Sequence, residues 1–221
     1  MGAISEEDQT AKMRFIAAFF DDFDKKADYL EELYESEHSD EARILCAAYI
    51  DWLASALYWP DSRTNLNYVR SLRDHSGKDI FSYIHPKMLV EALDKLSKRG
   101  KKWAVIQEKV SDKLRIAERR LYGEREMMDE LAPLLKPSEV HDIEREIWRA
   151  TFAAIVYDRF RIASIHGFGP PDGTTFDGVT FQDQAVPAID FFMVYDCLKR
   201  IIGVGRELSE ETGKWFGHDY E

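Results

Sequence analysis

Arg161 and His166 stand with four residues between them in the stretch Val-Tyr-Asp-Arg-Phe-Arg-Ile-Ala-Ser-Ile-His-Gly, residues 156–167. An imidazole free of metal titrates near neutral pH, so His166 is a candidate base for the proton of an attacking hydroxyl. A guanidinium is a planar fork that can hold two oxygens of a phosphate, so Arg161 is a candidate for stabilising the charge that builds on phosphorus as the hydroxyl attacks. The pair therefore suits cleavage of a phosphodiester without a metal. Arg159 also fits the spacing. On a continuous α-helix, at about 100° per residue, Arg159 and His166 lie about 20° apart and Arg161 and His166 about 140° apart. Helix geometry thus admits Arg159, while the aromatic residues Tyr157 and Phe160 around Arg161 favour the latter.

Each residue also has an ordinary structural role. A histidine at a helix end followed by glycine can cap carbonyls or sit at the negative end of the helix dipole. Arg161 can pair with Asp158, three residues earlier. Asp51, embedded in the apolar stretch Ala-Tyr-Ile-Asp-Trp-Leu (residues 48–53), can simply bond a neighbouring side chain. The histidines at 38, 75, 85, 141 and 218 are dispersed in polar settings and outline no metal site, although His141 and Glu144 can share a helix face. The glycine-rich stretch 167–173 lacks the Lys-Ser/Thr ending of a phosphate-binding loop and follows a helix instead of a strand. No cofactor is expected.

The elements that must hold these residues read as helices. Residues 8–36 are amphipathic, with Phe15, Phe19, Phe23, Leu30 and Leu33 near one side. A second helix is expected from Asp40 to Tyr58, where Leu45, Ala48, Leu53 and Ala56 are mixed with enough small residues for close packing, and Pro60 ends it. A shorter one falls between Asp61 and His75, carrying Leu66, Val69 and Leu72. Pro86 suits the first turn of another, which Gly100 stops. Residues 101–135 continue in helical pattern with Trp103, Ile106, Val110, Leu114 and Leu121 as core candidates and Gly123 as a break. Glu139 to Ile165 reads as one long helix bearing the Arg-His pair. Asp177-Gly178 between two β-prone triplets signals a hairpin, and Ala185 to Leu208 forms the last core helix. The fold class is accordingly all-α: a bundle of about five to seven helices with one small hairpin before the last core helix.

Composition bounds the rest. At 221 residues and 45% hydrophobic, the chain can bury a real core, and one domain is expected, with the first helix as an elaboration on a core spanning about 40–210. No apolar run approaches the ~20 residues that span a bilayer, and the opening residues resemble neither a signal peptide nor a myristoylation signal. Cys46 and Cys197 sit in apolar helical patterns without metal or disulfide spacing, which fits buried thiols in a reducing cytoplasm. Lys and Arg against Asp and Glu number 5 to 14 over residues 1–60, 15 to 8 over 61–123, and 10 to 19 over 124–221, so the middle is basic and the flanks acidic. The net charge of −11 argues against indiscriminate nucleic-acid binding. The basic run from Lys95 to Arg120 is either a local phosphate surface or a solvated face balancing the acidic flanks.

The residues around the Arg-His pair resemble the HEPN superfamily, whose nuclease members carry an Arg, a short variable spacer and a His. Tyr157, Phe160, Ile165 and Gly167 match the local context, and the apolar helix with embedded Asp51 is similar to the one many such domains place before the motif helix. The resemblance implies a metal-independent endoribonuclease with Arg161 and His166 catalytic and Asp51, Tyr157, Asp158 and Arg159 supporting. It further implies a homodimer whose two motifs share a cleft, acting on RNA in toxin–antitoxin or antiphage defence with an antitoxin or other protein partner. Many active members carry a polar residue after the arginine, where this chain has Ile162. That departure leaves two alternatives: a catalytically silent HEPN-like protein binding nucleic acid, a nucleotide or a protein, and a helical scaffold that docks through its acidic first helix.

Overall fold

A computed structural model of the chain describes residues 6–162, 176 and 178–214. Helices dominate them, and one two-stranded antiparallel hairpin precedes the last helix, so the chain is an all-α helical bundle with a small β element. The described residues fall into two compact units, one formed by 6–77, 160–162 and 190–214 and the other by 78–159, 176 and 178–189.

The first unit is built from α1 (Glu6–Glu35), α2 (Ser39–Leu57), α3 (Thr64–His75) and the last helix, α9 (Phe191–Thr212). Ile16, Phe20, Phe23, Ala27 and Leu30 recur at helical spacing on α1 and are buried. The stripe is offset from the sequence reading, because Phe15 is exposed while Phe19 and Leu33 are half-buried. On α2 the small residues Ala42, Cys46, Ala47 and Ala54 are buried with Ile50 and Leu53, which lets neighbouring helices approach closely. Ala48 faces solvent. Leu66, Val69 and Leu72 of α3 are buried as their spacing predicts. Helix α9 starts at Phe191, later than the apolar pattern suggests, because Asp190 caps it: its Oδ1 accepts from the Met193 amide at 2.8 Å. Arg206 of α9 pairs with Asp21 and Asp24 of α1, and Tyr34 stacks on Phe191 at 4.1 Å between ring centroids. Cys46 and Cys197 are buried free thiols.

In the second unit α4 (Pro86–Ser97) and α5 (Lys101–Ile116) form a helical hairpin, followed by α6 (Glu124–Leu131), α7 (Pro137–Glu146) and the short α8 (Phe152–Val156). Its core gathers Leu89, Leu93, Ile106, Val110, Leu114, Met127, Leu131 and Ile143. Extended backbone crosses this helical unit. Ile84 and Tyr122 exchange amide–carbonyl bonds of 2.7 and 3.0 Å, the His85 amide donates to Ala150, the Phe152 amide donates to Tyr83, and Thr180 exchanges bonds with Arg119 and Leu121. The hairpin β1 (Thr180–Phe181) and β2 (Gln184–Ala185) adjoins it.

Two sequence expectations are corrected here. The hairpin turns at Gln182-Asp183, both with positive φ (51° and 61°), not at Asp177-Gly178. A two-residue hairpin loop of type I′ needs φ > 0 at both central positions, which Asp tolerates better than most residues. Gly178 (φ 74°) serves a separate tight turn in which the Phe176 carbonyl accepts from the Val179 amide. Thr174, Thr175 and Asp177 lie outside the described residues. The long helix expected over Glu139–Ile165 is interrupted: a 3-10 turn at Ile147–Ala150 leads to Thr151 in extended geometry (φ −70°, ψ 155°) before α8 begins. Thr151 is buried and acts as cap, its Oγ1 donating to the Trp148 carbonyl at 2.7 Å and accepting from the Ala154 amide at 3.3 Å.

Thr151→Ala removes both bonds, and we expect it to cost about 1–2 kcal/mol, with Thr151→Ser recovering most of it. Urea unfolding reads this as a lower midpoint at unchanged slope. A midpoint equal to wild type would mean that the cap does not set the break.

Candidate functional site

Helix α8 runs directly into a π-helical turn, Tyr157–Ile162, whose i→i+5 bonding is rare and frequent at functional sites. The turn carries Tyr157, Asp158, Arg159 and Arg161, four of the residues singled out in the sequence. Advances of about 100° per residue hold for an α-helix, so the helical-wheel angles do not apply across Tyr157–Ile162.

Phe160 is fully buried and anchors the turn in the first unit. Beside it, Arg161 reaches Asp51 on α2, with Nε at 3.0 Å and Nη2 at 2.6 Å from Oδ2. Both side chains are largely shielded, at 21% and 19% relative exposure. The other carboxylate oxygen of Asp51, Oδ1, is buried and has no hydrogen-bond partner among the described residues. Neighbouring groups register the burial of this region. The phenol of Tyr68 is pushed well above its ordinary pKa by desolvation first, then by the charges of Cys46 and Asp51, with Arg161 opposing. Burial likewise raises the Cys46 thiol. The low local dielectric strengthens an ion pair that is well made and penalises one that loses a member.

The remaining site residues separate. Asp158 does not pair with Arg161; its carboxylate lies 3.7 Å from Lys95 Nζ. Arg159 is exposed and makes no ion pair among the described residues, and Tyr157 is half-buried. His166, with Ile165, Gly167 and the glycine-rich stretch that follows, lies outside the described residues. The geometry therefore joins Arg161 to Asp51 and leaves the partner of the proposed base unspecified.

Two histidines differ from the sequence reading. His75 is stacked on Tyr58, and His85 is buried at 5% exposure; burial lowers the pKa of both rings. His141 Nδ1 lies 3.6 Å from Glu144, and no group of three or more ligating side chains capable of holding a metal is found among the described residues. The basic run is largely neutralised locally, with Lys95, Lys98, Lys102, Lys109, Lys113, Arg115 and Arg120 each paired to a carboxylate. Among the described residues no helix is long and apolar enough to cross a membrane. No family model matches the chain, and neither a curated protein nor a solved structure matches it.

Asp51→Asn keeps the side-chain volume and removes the charge facing Arg161; we expect a loss of about 1–3 kcal/mol, typical of a hydrogen-bonded charged group deprived of its partner. Chemical denaturation checks it, and an Asn variant as stable as wild type would make the pair incidental. His85 yields a pH dependence. Its folded pKa is depressed by burial, with Lys87 adding, whereas the unfolded ring takes a proton at about pH 6.5. The unfolded state then holds more protons as pH falls through that value, so folding weakens toward acid. The unfolding midpoint of wild type should fall more steeply between about pH 7 and about pH 5 than that of His85→Asn.

Proposed function

We propose that the chain is a HEPN-type endoribonuclease that cleaves RNA without a metal and acts as a homodimer. The observation that carries this reading is the Arg161–Asp51 pair. Of the two segments whose residues resemble that superfamily, 48–53 meets the described part of the other, 156–162, at one carboxylate, although Asp51 and Arg161 are 110 positions apart in the chain. A motif arising by chance has no reason to select the acidic residue of the other segment as its partner.

In this reading each group has one task. His166 removes the proton of a ribose 2′-hydroxyl, whose oxygen attacks the adjacent phosphorus. The bond from phosphorus to the 5′-oxygen of the next nucleotide breaks, and that oxygen takes a proton as it leaves. Arg161 offsets the charge that grows on the non-bridging oxygens. Asp51 accepts from two of the five donors of the guanidinium and so fixes the plane in which the fork lies. Arg159, exposed on the same turn, contributes to RNA attraction, as do Tyr157 and Asp158 to the shape of the turn. The likeness extends to a role in toxin–antitoxin or antiphage defence in the cytoplasm, with a cognate protein partner.

A second reading is a catalytically silent member that binds nucleic acid or a protein through the same residues. Two observations favour it: the carboxylate of Asp51 neutralises Arg161, and the half-buried Ile162 stands where many active members place a polar side chain.

The deciding assay follows labelled single-stranded RNA with purified wild type, His166→Ala, Arg161→Ala and Arg159→Ala, with and without a chelator. An endoribonuclease loses about 10²–10⁴-fold in rate without its base and about 10²–10³-fold without the stabilising fork. Arg159→Ala loses less, and the chelator leaves the wild-type rate unchanged. RNA left intact by wild type, together with binding that Arg161→Ala weakens, selects the silent reading.

A further inference from the structure

We propose that the unit formed by residues 78–159, 176 and 178–189 holds a second site, a cavity that binds a small organic phosphate monoester carrying a planar ring. The cavity measures about 520 Å³, within the range of small-molecule sites, and all of its described lining belongs to that one unit. Lys87, Arg119 and Arg159 line it, and none of the three makes an ion pair among the described residues. Most cations of the run from Lys95 to Arg120, by contrast, are matched to a carboxylate; Arg119 belongs to that run and is not. Lone cations gathered on one concavity are what an anionic ligand requires.

The backbone adds a second source of positive potential. Helix α4 begins at Pro86, and no side chain caps its first turn. The amides of Lys87 and Met88, both lining residues, therefore have no partner within the helix and carry the positive end of its dipole. His85 sits at the cap position and lines the same cavity, with its Nδ1 buried and unpartnered among the described residues.

The rest of the lining limits the ligand. Phe176, packed against His85 and Phe152 at centroid distances of 5.8 and 5.3 Å, offers an aromatic surface for a planar ring beside the apolar Ile155 and Val179. Glu91 and Glu118 also line the cavity, so three cations face two carboxylates. This balance disfavours a polyphosphate and suits a monoester whose ring or sugar donates hydrogen bonds to the carboxylates. Arg119 is held in place by its backbone, which accepts from the Thr180 amide at 2.9 Å. Neither Arg161 nor Asp51 is among the lining residues, and Arg159 is the one residue that this site shares with the ribonuclease reading.

Isothermal titration of the full chain with adenosine 5′-monophosphate, uridine 5′-monophosphate and 4-nitrophenyl phosphate tests the proposal, with inorganic phosphate, adenosine and a short oligonucleotide as comparisons. At least one monoester should saturate one site per chain and bind at least about tenfold more tightly than phosphate or adenosine. Arg119→Ala and Arg159→Ala, both at exposed positions, should each weaken it by about tenfold or more, as expected for a charged hydrogen bond. Phe176→Ala should weaken the monoester by about tenfold and leave phosphate unaffected; circular-dichroism melting shows whether that variant stays folded, with Phe176→Leu as the milder change. The proposal is overturned if no monoester saturates, if phosphate binds as tightly as the monoesters, if the Arg119→Ala/Arg159→Ala double variant binds like wild type, or if only the oligonucleotide binds.

Discussion

Buried backbone must be paired, and in this chain that requirement decides where the π turn lies. At Thr151 the chain leaves helical geometry, and the adjoining groups are satisfied by other backbone: the Ala150 carbonyl by His85, the Phe152 amide by Tyr83. Thr151 then caps α8, and α8 runs without interruption into the π turn that bears Arg159 and Arg161. An uninterrupted helix from Glu139 onward would enter the π turn in a different phase and would deprive the His85 amide and the Tyr83 carbonyl of these partners. The same extended segment delivers His85 to the start of α4 and lines up Tyr122, Arg120 and Thr180 beside it. Motif turn and cavity therefore both depend on a few backbone hydrogen bonds inside an otherwise helical unit.

Charge follows a comparable logic. The excess of cations in the middle of the sequence is met in space by carboxylates from α6, α7 and the π turn, as in Lys109 with Glu139, Lys102 with Asp142 and Lys95 with Asp158. These contacts are mostly exposed and each contributes little to stability. Their larger effect is to cancel much of the field of the basic run, Arg119 at the cavity being among its cations that no carboxylate matches among the described residues. Arg161 belongs to a different class. Its partner is shielded from water, and removing either member strands a charge in a poor dielectric.

What could be read in the sequence was mostly periodic. The first three helices, the start of α4 at Pro86, the core role of Ile106, Val110 and Leu114, and the presence of one hairpin before the last helix all follow from spacing, proline and turn chemistry, because these act over a few neighbouring residues. The offset of the α1 stripe from Phe15 to Ile16 marks the limit: on an aromatic-rich face several stripes look equally apolar, and the neighbouring helices choose among them. The candidate residues Arg161 and Asp51 were legible as types in suggestive surroundings, but their meeting was not, since Asp158 was the nearer acidic residue in the chain.

By itself, then, the sequence determined the fold class, the approximate helices and the chemical character of the Arg-His stretch, since hydrophobic periodicity and side-chain chemistry are local properties. Tertiary structure decided the break at Thr151, the π turn, the turn of the hairpin at Gln182-Asp183, the choice of Asp51 over Asp158, and the burial of His85 that sets it apart from the other histidines. Each of these depends on which distant group satisfies a backbone amide, a guanidinium or a ring, and that partner is fixed by packing, not by spacing along the chain.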